Sequence, residues 1–197
     1  MSLTFFSVDV ETSGLNPFDP DSHLLSIGAT AQDASGVIDE RSFYMLINRR
    51  DQLDAAWYDP SIPTKDETLL FWRDQDVWVR GEAWENHNLP RFSAQLVGYE
   101  FSQWVLSFSD KWEERVFMAN PASFDFMWCC KLWYEAGVEN PFHYHSLCLH
   151  SMAFGDQPRG QKDWTFSKSG NRTHRAELPH HPLSDAQAQA LDFKDLL

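Results

Sequence analysis

Basic residues are scarce in this chain: 16 Lys and Arg stand against 29 Asp and Glu, a formal net charge of −13 over 197 residues. A protein that grips nucleic acid through its surface normally carries a basic footprint, because neutralising phosphates supplies much of the affinity. The shortage excludes a broadly basic binding face. It leaves three readings: no nucleic-acid binding, acidity spread over solvated surface, or an acidic site neutralised by cations. Cysteine is scarcer still. Cys129, Cys130 and Cys148 are odd in number and two are adjacent, which does not suit a disulfide framework, so a reducing, cytoplasmic setting is expected. No apolar run reaches the roughly eighteen residues that a spanning helix needs. Met1 to Thr4 leads directly into an apolar run, without the basic start and small-residue cleavage site of a signal peptide. Internal repeats and low-complexity segments are also lacking, so one domain over residues 1–197 is expected.

Core-forming residues, by contrast, are plentiful: 43% of the chain is hydrophobic and 15% aromatic, with nine Trp and fifteen Phe. Residues 3–11 read as a strand, with Phe5, Ser7, Asp9 and Glu11 on one face and Phe6, Val8 and Val10 on the other. Both faces are largely apolar, which predicts a central strand. The stretch from Ser13 to Ser22 breaks it. Leu24 to Ala31 and Val37 to Ile47 flank the turn residues Asp33 to Gly36, a hairpin pattern. Residues 48–66, with Pro60 and Pro63, predict an irregular connection. Thr68 to Trp78 predicts a helix. A longer one follows Pro90, where Val97, Phe101, Trp104, Val105 and Phe108 recur at helical spacing. Arg115 to Ala119 is a short strand. Phe124, Trp128 and Leu132 stripe a helix ending near Gly137. Phe142 to Leu147 is a last strand, and 155–179 a loop. Pro182 opens a final helix to about Leu191. The order implies an α/β fold, a mixed sheet flanked by helices. Trp72, Trp78 and Trp84 recur every six residues, which fits no helix face and predicts core or interface packing. Arg49 and Arg50 read as surface, with phosphate contact as the lesser alternative. His143, His145, Cys148 and His150 fit no strong zinc spacing.

Three acidic segments carry the chemistry. Asp9 and Glu11 lie two apart on the first strand and point the same way. On a buried strand two unpaired carboxylates are costly. A divalent cation resolves the conflict, since hard cations take oxygen ligands; an exposed strand end would need no such compensation. Asp125, in Asn120-Pro-Ala-Ser-Phe124-Asp125, opens a helix, where an acid also simply favours the dipole. His180 precedes Pro182 and Asp185 falls in the first turns of the last helix. A histidine there can act as a general base near neutral pH, although single His-x4-Asp pairs are common on surfaces.

Taken together, these motifs resemble those of the DEDDh exonucleases, the group that includes ribonuclease T, oligoribonuclease and polymerase proofreading domains. Asp9 and Glu11 match the first motif, continued by Thr12, Gly14 and Leu15. Asn120, Phe124 and Asp125 match the second, and His180 and Asp185 the third, in the same order and over nearly the whole chain. The segment Thr68-Leu-Leu-Phe-Trp72-Arg-Asp-Gln75 is similar to phage-type members. The resemblance implies a ribonuclease H-like fold with a mixed five-stranded sheet. It implies that Asp9, Glu11, Asp125 and Asp185 hold two Mg2+ or Mn2+ ions and that His180 takes the proton of the attacking water. The reaction implied is 3′→5′ release of nucleoside monophosphates from single-stranded RNA or DNA. His181 is a rival for the histidine role, or a cap for the helix. The backbone after Glu11 would meet the 3′-terminal nucleotide, with Leu15 pressing on it and Phe124 stacking nearby; ordinary core packing is the alternative for both. In residues 159–175, Arg159, Lys162, Lys168, Arg172 and Arg175 surround Trp164 and Phe166. Lys168 and Arg172 could grip phosphate there, or the segment is a solvated loop. Small members of the group are often homodimers. A catalytically silent binder on the same fold and a metal-dependent endonuclease are the competing functions. RNA and DNA are not distinguished by any sequence pattern.

Overall fold

The computed structural model describes residues 3–49, 52–85, 89–155 and 174–196. Strands β1 (Thr4–Thr12), β2 (Leu24–Asp33) and β3 (Ile38–Ile47) form an antiparallel meander. The β2–β3 turn closes because Asp33 accepts hydrogen bonds from the Ser35 and Val37 amides and Gly36 takes a φ of 77°. β4 (Arg91–Phe92) pairs parallel with the end of β3. β5 (Arg115–Ala119) pairs parallel with β1, and β6 (Ser146–Cys148) with β5. The sheet is therefore mixed and six-stranded, in the order β4-β3-β2-β1-β5-β6. The expected five strands fall short by β4, whose two residues are too few to show any periodicity. The last strand also starts later than Phe142. That residue is fully buried in the core, and the His143 amide reaches across to the Arg115 carbonyl.

The expected helix over 68–78 is two helices, α1 (Glu67–Asp74) and α2 (Val77–Arg80). Gln75 is extended, and the Asp76 side chain accepts from the Trp78 amide, so an N-cap restarts the helix where the pattern looked continuous. A π-helical turn, Gly81–Glu85, follows. α3 (Ala94–Leu106) and α4 (Ala122–Ala136) cover one face of the sheet. α5 (Leu149–Gly155) and α6 (Pro182–Leu196) follow β6, and α6 lies over β1 and β2. No helix among the described residues is long and apolar enough to cross a membrane.

This layering explains the two apolar faces of β1. Phe6, Val8 and Val10 join the core under α3 and α4, while Phe5 packs on Phe193 of α6, ring centroids 4.9 Å apart. Burying each such aromatic contributes about 2–3 kcal/mol. A separate cluster holds Leu25, Trp57, Leu69, Trp72 and Trp84 beneath α1. Trp72 and Trp84 thus pack as their sequence predicts, but Trp78 is 73% exposed. Arg49, expected at the surface, is buried instead. Its guanidinium bonds Glu135 at 3.0 Å and the Leu24 carbonyl at 3.1 Å, a pairing that compensates its lost hydration. Gly28 sets the height of α6. A Cβ there would stand 2.1 Å from the Leu183 nitrogen, so only glycine lets the start of α6 rest on β2. Gly28 is the cross-strand partner of Asp9, which places that contact beside the acids.

Candidate active site

Asp9 and Glu11 project from the second half of β1, and Asp185 from the first turn of α6. One carboxylate oxygen from each lies within 4.8 Å of the others. Glu11 and Asp185 are buried, at 8% and 9% exposure. Burial pushes the Glu11 carboxyl well above the usual range, and the charges of Asp9, Asp185 and Asp125 push it further. Positive charge placed among these acids would offset the field that opposes Glu11 ionisation. The cluster's donors are all hard oxygens, so the group fits a divalent metal ion.

Asp125 reaches the same place from the other face. The parallel ladder between β1 and β5 runs only from Thr4 to Ser7 on β1, and β5 then turns into α4. Beyond the ladder, the Val10 amide donates to Asp125 Oδ1 at 3.1 Å. Asp125 is buried at 3% exposure and contributes to the field on Glu11. Three acids therefore converge closely, and the fourth is anchored to the backbone between Asp9 and Glu11.

The two histidines occupy different positions. His180 has a left-handed φ of 63°, uncommon for a non-glycine residue, and its amide donates to Asp185 Oδ2 at 2.6 Å. Its ring meets Phe71 edge-on at 5.0 Å and Trp72 at 6.4 Å. His181 is the N-cap of α6. Its Nδ1 accepts from the Ser184 amide at 3.3 Å and its carbonyl from the Asp185 amide at 2.9 Å. The His181 ring lies 4.6 Å from that of Tyr44, with Nε2 4.0 Å from Glu82, and Tyr44 donates its hydroxyl proton to the Glu82 carbonyl. Burial holds the His181 pKa below its ordinary value, against the opposing pull of Glu82.

The other sequence-predicted residues scatter around this centre. Thr12 is buried; its hydroxyl donates to the Gly14 carbonyl at 2.7 Å and its carbonyl accepts from Trp72 Nε1 at 3.0 Å. Gly14 faces Ser22 so closely that a Cβ would stand 2.0 Å from Oγ. Leu15, at the tip of this fastened turn, is 75% exposed. Asn120 directly follows β5 and is partly exposed. Phe124 is half-buried and packs on the main core, its ring 6.4 Å from Trp128. Lys168 and Arg172 lie outside the described residues, as do Arg159, Lys162, Trp164 and Phe166.

Sequence reasoning missed Gln189, Phe71 and the pair Tyr44–Glu82. Gln189 is fully buried and its Nε2 donates to Asp9 Oδ1 at 2.8 Å. One signal was available: Gln189 stands four residues after Asp185, hence on the same helix face.

No curated protein matches this sequence. Among solved structures, the fold is similar to E. coli exonuclease I in a zinc-bound complex with single-stranded DNA. The TM-score is 0.65 at 13% identity, covering 98% of this chain and 40% of that one. The product-bound exonuclease I matches at 0.60 and 13% identity, covering 98% and 43%. The complex with a dT13 oligonucleotide matches at 0.62 and 13%, covering 98% and 41%. At such identity the likeness shows the ribonuclease H-like fold, and this chain spans about two fifths of those proteins' length. A family model matches nearly the whole sequence, over residues 4–196, and by that match the chain belongs to the Rv2179c-like family, described as a 3′-5′ exoribonuclease domain.

Proposed function

We propose that this protein removes nucleoside monophosphates one at a time from the 3′ end of single-stranded RNA. The observation that carries the reading is the convergence of Asp9, Glu11 and Asp185 within 4.8 Å in a buried site, with Asp125 beside them. In the proposal these four acids hold two Mg2+ or Mn2+ ions. When bound, such ions supply Lewis-acid activation of a water and stabilise charge on the leaving oxygen. The chain's own residues do the rest. His180, whose amide donates to Asp185 Oδ2, accepts the proton of the attacking water in this reading. Its backbone bond to Asp185 and the edge contact of its ring with Phe71 limit its movement. His181 caps α6 and so fixes the direction of Asp185. Leu15, exposed on a turn tied to β2 and to Trp72, meets the terminal nucleotide. Phe124 serves chiefly as packing for α4. The preference for RNA rests on the family description. The structural neighbours were solved with DNA, so single-stranded DNA is the second substrate to test.

A 5′-labelled single strand, incubated with Mg2+ or Mn2+ with and without chelator, tests this directly. The expected product is a ladder shortened by one nucleotide per step, abolished by chelator and by Asp9→Ala. Internal cuts would identify an endonuclease. A full ladder from the Asp9→Ala protein would sink the assignment of the acids.

A further inference from the structure

The face of β1 that carries Asp9 and Glu11 is met by a matching face of α6. Ser7 and Asp9 lie two apart on the strand, and Asp185 and Gln189 lie four apart on the helix. Gln189 bridges the two elements. Its Nε2 donates to Asp9 Oδ1 at 2.8 Å, and its Oε1 accepts from the Ser7 hydroxyl at 3.4 Å. The carboxylate of Asp9 accepts and cannot donate when ionised, so the amide presents its nitrogen to Asp9, which leaves its oxygen facing Ser7. Asp9 sets the orientation, and the Ser7 hydroxyl, which can donate, accommodates it. Gln189 and Ser7 have no exposed surface at all, and a buried amide left without partners would cost about 1–3 kcal/mol.

The chemistry of the donor matters. A lysine or arginine at this point would neutralise Asp9 and compete with a bound cation. Glutamine fixes the carboxylate while adding no positive charge, so the negative charge stays available to a metal ion. Groups in this position around metal sites set ligand orientation, and their loss typically weakens metal binding about 10- to 100-fold. One helix then supplies both a ligand, Asp185, and the group that aims a second ligand on another element.

We propose that Gln189, backed by Ser7, is a positioning residue for the metal site: it locks the Asp9 carboxylate in its ligating orientation through a neutral hydrogen bond. The proposal rests on the reading of Asp9, Glu11 and Asp185 as metal ligands, and its test separates the two. Mn2+ is titrated into the full-length, metal-free protein by calorimetry, with free Mn2+ followed by electron paramagnetic resonance. Wild type is compared with Gln189→Met, Ser7→Ala and Asp9→Asn. Methionine keeps the buried volume and removes the hydrogen bond. The expected result is a loss of Mn2+ affinity of about 10- to 100-fold in Gln189→Met. Ser7→Ala should lose less, about two- to tenfold, the span of one neutral hydrogen bond. Wild-type affinity in a folded Gln189→Met protein, alongside a weakened Asp9→Asn protein, overturns the positioning role, since a purely structural glutamine leaves the affinity of the folded protein unchanged. If circular dichroism shows Gln189→Met unfolded, Ser7→Ala decides, and unchanged affinity there overturns the proposal equally. No saturable Mn2+ binding by wild type, or equal binding by wild type and Asp9→Asn, overturns the ligand reading itself and the proposal with it.

Discussion

Asp9→Asn should stabilise the metal-free protein and destabilise it relative to wild type once metal is added. The carboxylate oxygens of Asp9, Glu11 and Asp185 lie within 4.8 Å of one another. At that distance two unit charges repel by about 3–4 kcal/mol at an effective dielectric near 20. Burial and the neighbouring acids push the Glu11 carboxyl well above its ordinary range, which favours its neutral form and lessens this repulsion. Replacing Asp9 removes its repulsion with both neighbours, and asparagine can still accept from Gln189 through its amide oxygen. A net gain of about 1–3 kcal/mol remains, or about 2–12 °C in melting temperature for a chain of this size. The sign with pH follows from Glu11. A folded-state pKa above the unfolded value gives a contribution fully present below the unfolded pKa and lost as pH rises through the folded one. Metal-free wild type should therefore lose stability from this group as pH climbs from about 4.5 towards neutrality and above. His181 works in the opposite sense: its lowered pKa gives stability present above its ordinary 6.5 and lost as pH falls. The difference between wild type and Asp9→Asn cancels His181 and isolates the acid cluster. The assay is a thermal melt at several pH values, with chelator and with excess Mn2+. In chelator Asp9→Asn should melt higher, most clearly at pH 8, and in Mn2+ wild type should overtake it. A metal-free Asp9→Asn protein that melts lower than wild type at pH 8 would refute the electrostatic account.

The two histidines should separate by rescue: His181→Asn, a good cap, should keep near-normal turnover, while His181→Ala loses about 1 kcal/mol of stability. His180→Ala and His180→Asn should both lower kcat by about 100- to 10,000-fold with little change in melting; equal kcat losses at both positions would count against the division of roles. Gly28→Ala should destabilise by about 1–3 kcal/mol and weaken Mn2+ binding, because its methyl meets the backbone of Pro182 and Leu183 and must lift the helix that carries Asp185; a melt and a Mn2+ titration check this, and an unchanged affinity would show that α6 tolerates the shift. Leu15→Ala should raise KM for a short RNA while moving stability by less than about 0.5 kcal/mol, since the side chain is 75% exposed; an unaltered KM would remove Leu15 from the substrate site.

How much of this was legible depended on how local each cause is. β1 announces itself within nine residues, since its apolar residues fill both faces and its acids sit two apart. Asp125 and Asp185 became readable through order and spacing, without any view of the fold. What escaped was set by distant partners. Arg49 is buried because Glu135, 86 residues later, pairs with it. Gly28 matters because α6 returns from more than 150 residues away to lie against it. Gln187 and Gln189 look alike in sequence, yet the first is exposed and the second fully buried against Asp9. Helix α2 restarted at Asp76 because a single side chain capped it, a local cause that periodicity alone does not weigh.

The shortage of basic residues is sharpened by the fold. Arg49 is held by Glu135, and Arg73 turns inward to the carbonyls of Ala56, Asp59 and Ile62, stitching the connection before α1. Arg115 bonds the Ser109 carbonyl, and Lys131 the Ser22 carbonyl at the end of the turn that carries Leu15. Arg41 pairs bidentately with Asp39. These cations hold the scaffold together, so a proposed polyanionic substrate gains little from them. In the proposed mechanism, cations held by Asp9, Glu11 and Asp185 would add attraction for the phosphates where the negative charge is densest. On that proposal the acid cluster would repel a polyanion until metal is bound, so substrate affinity should itself depend on metal, and a binding titration of single-stranded RNA with Mn2+ and with chelator checks it: equal affinity in both would count against the proposal.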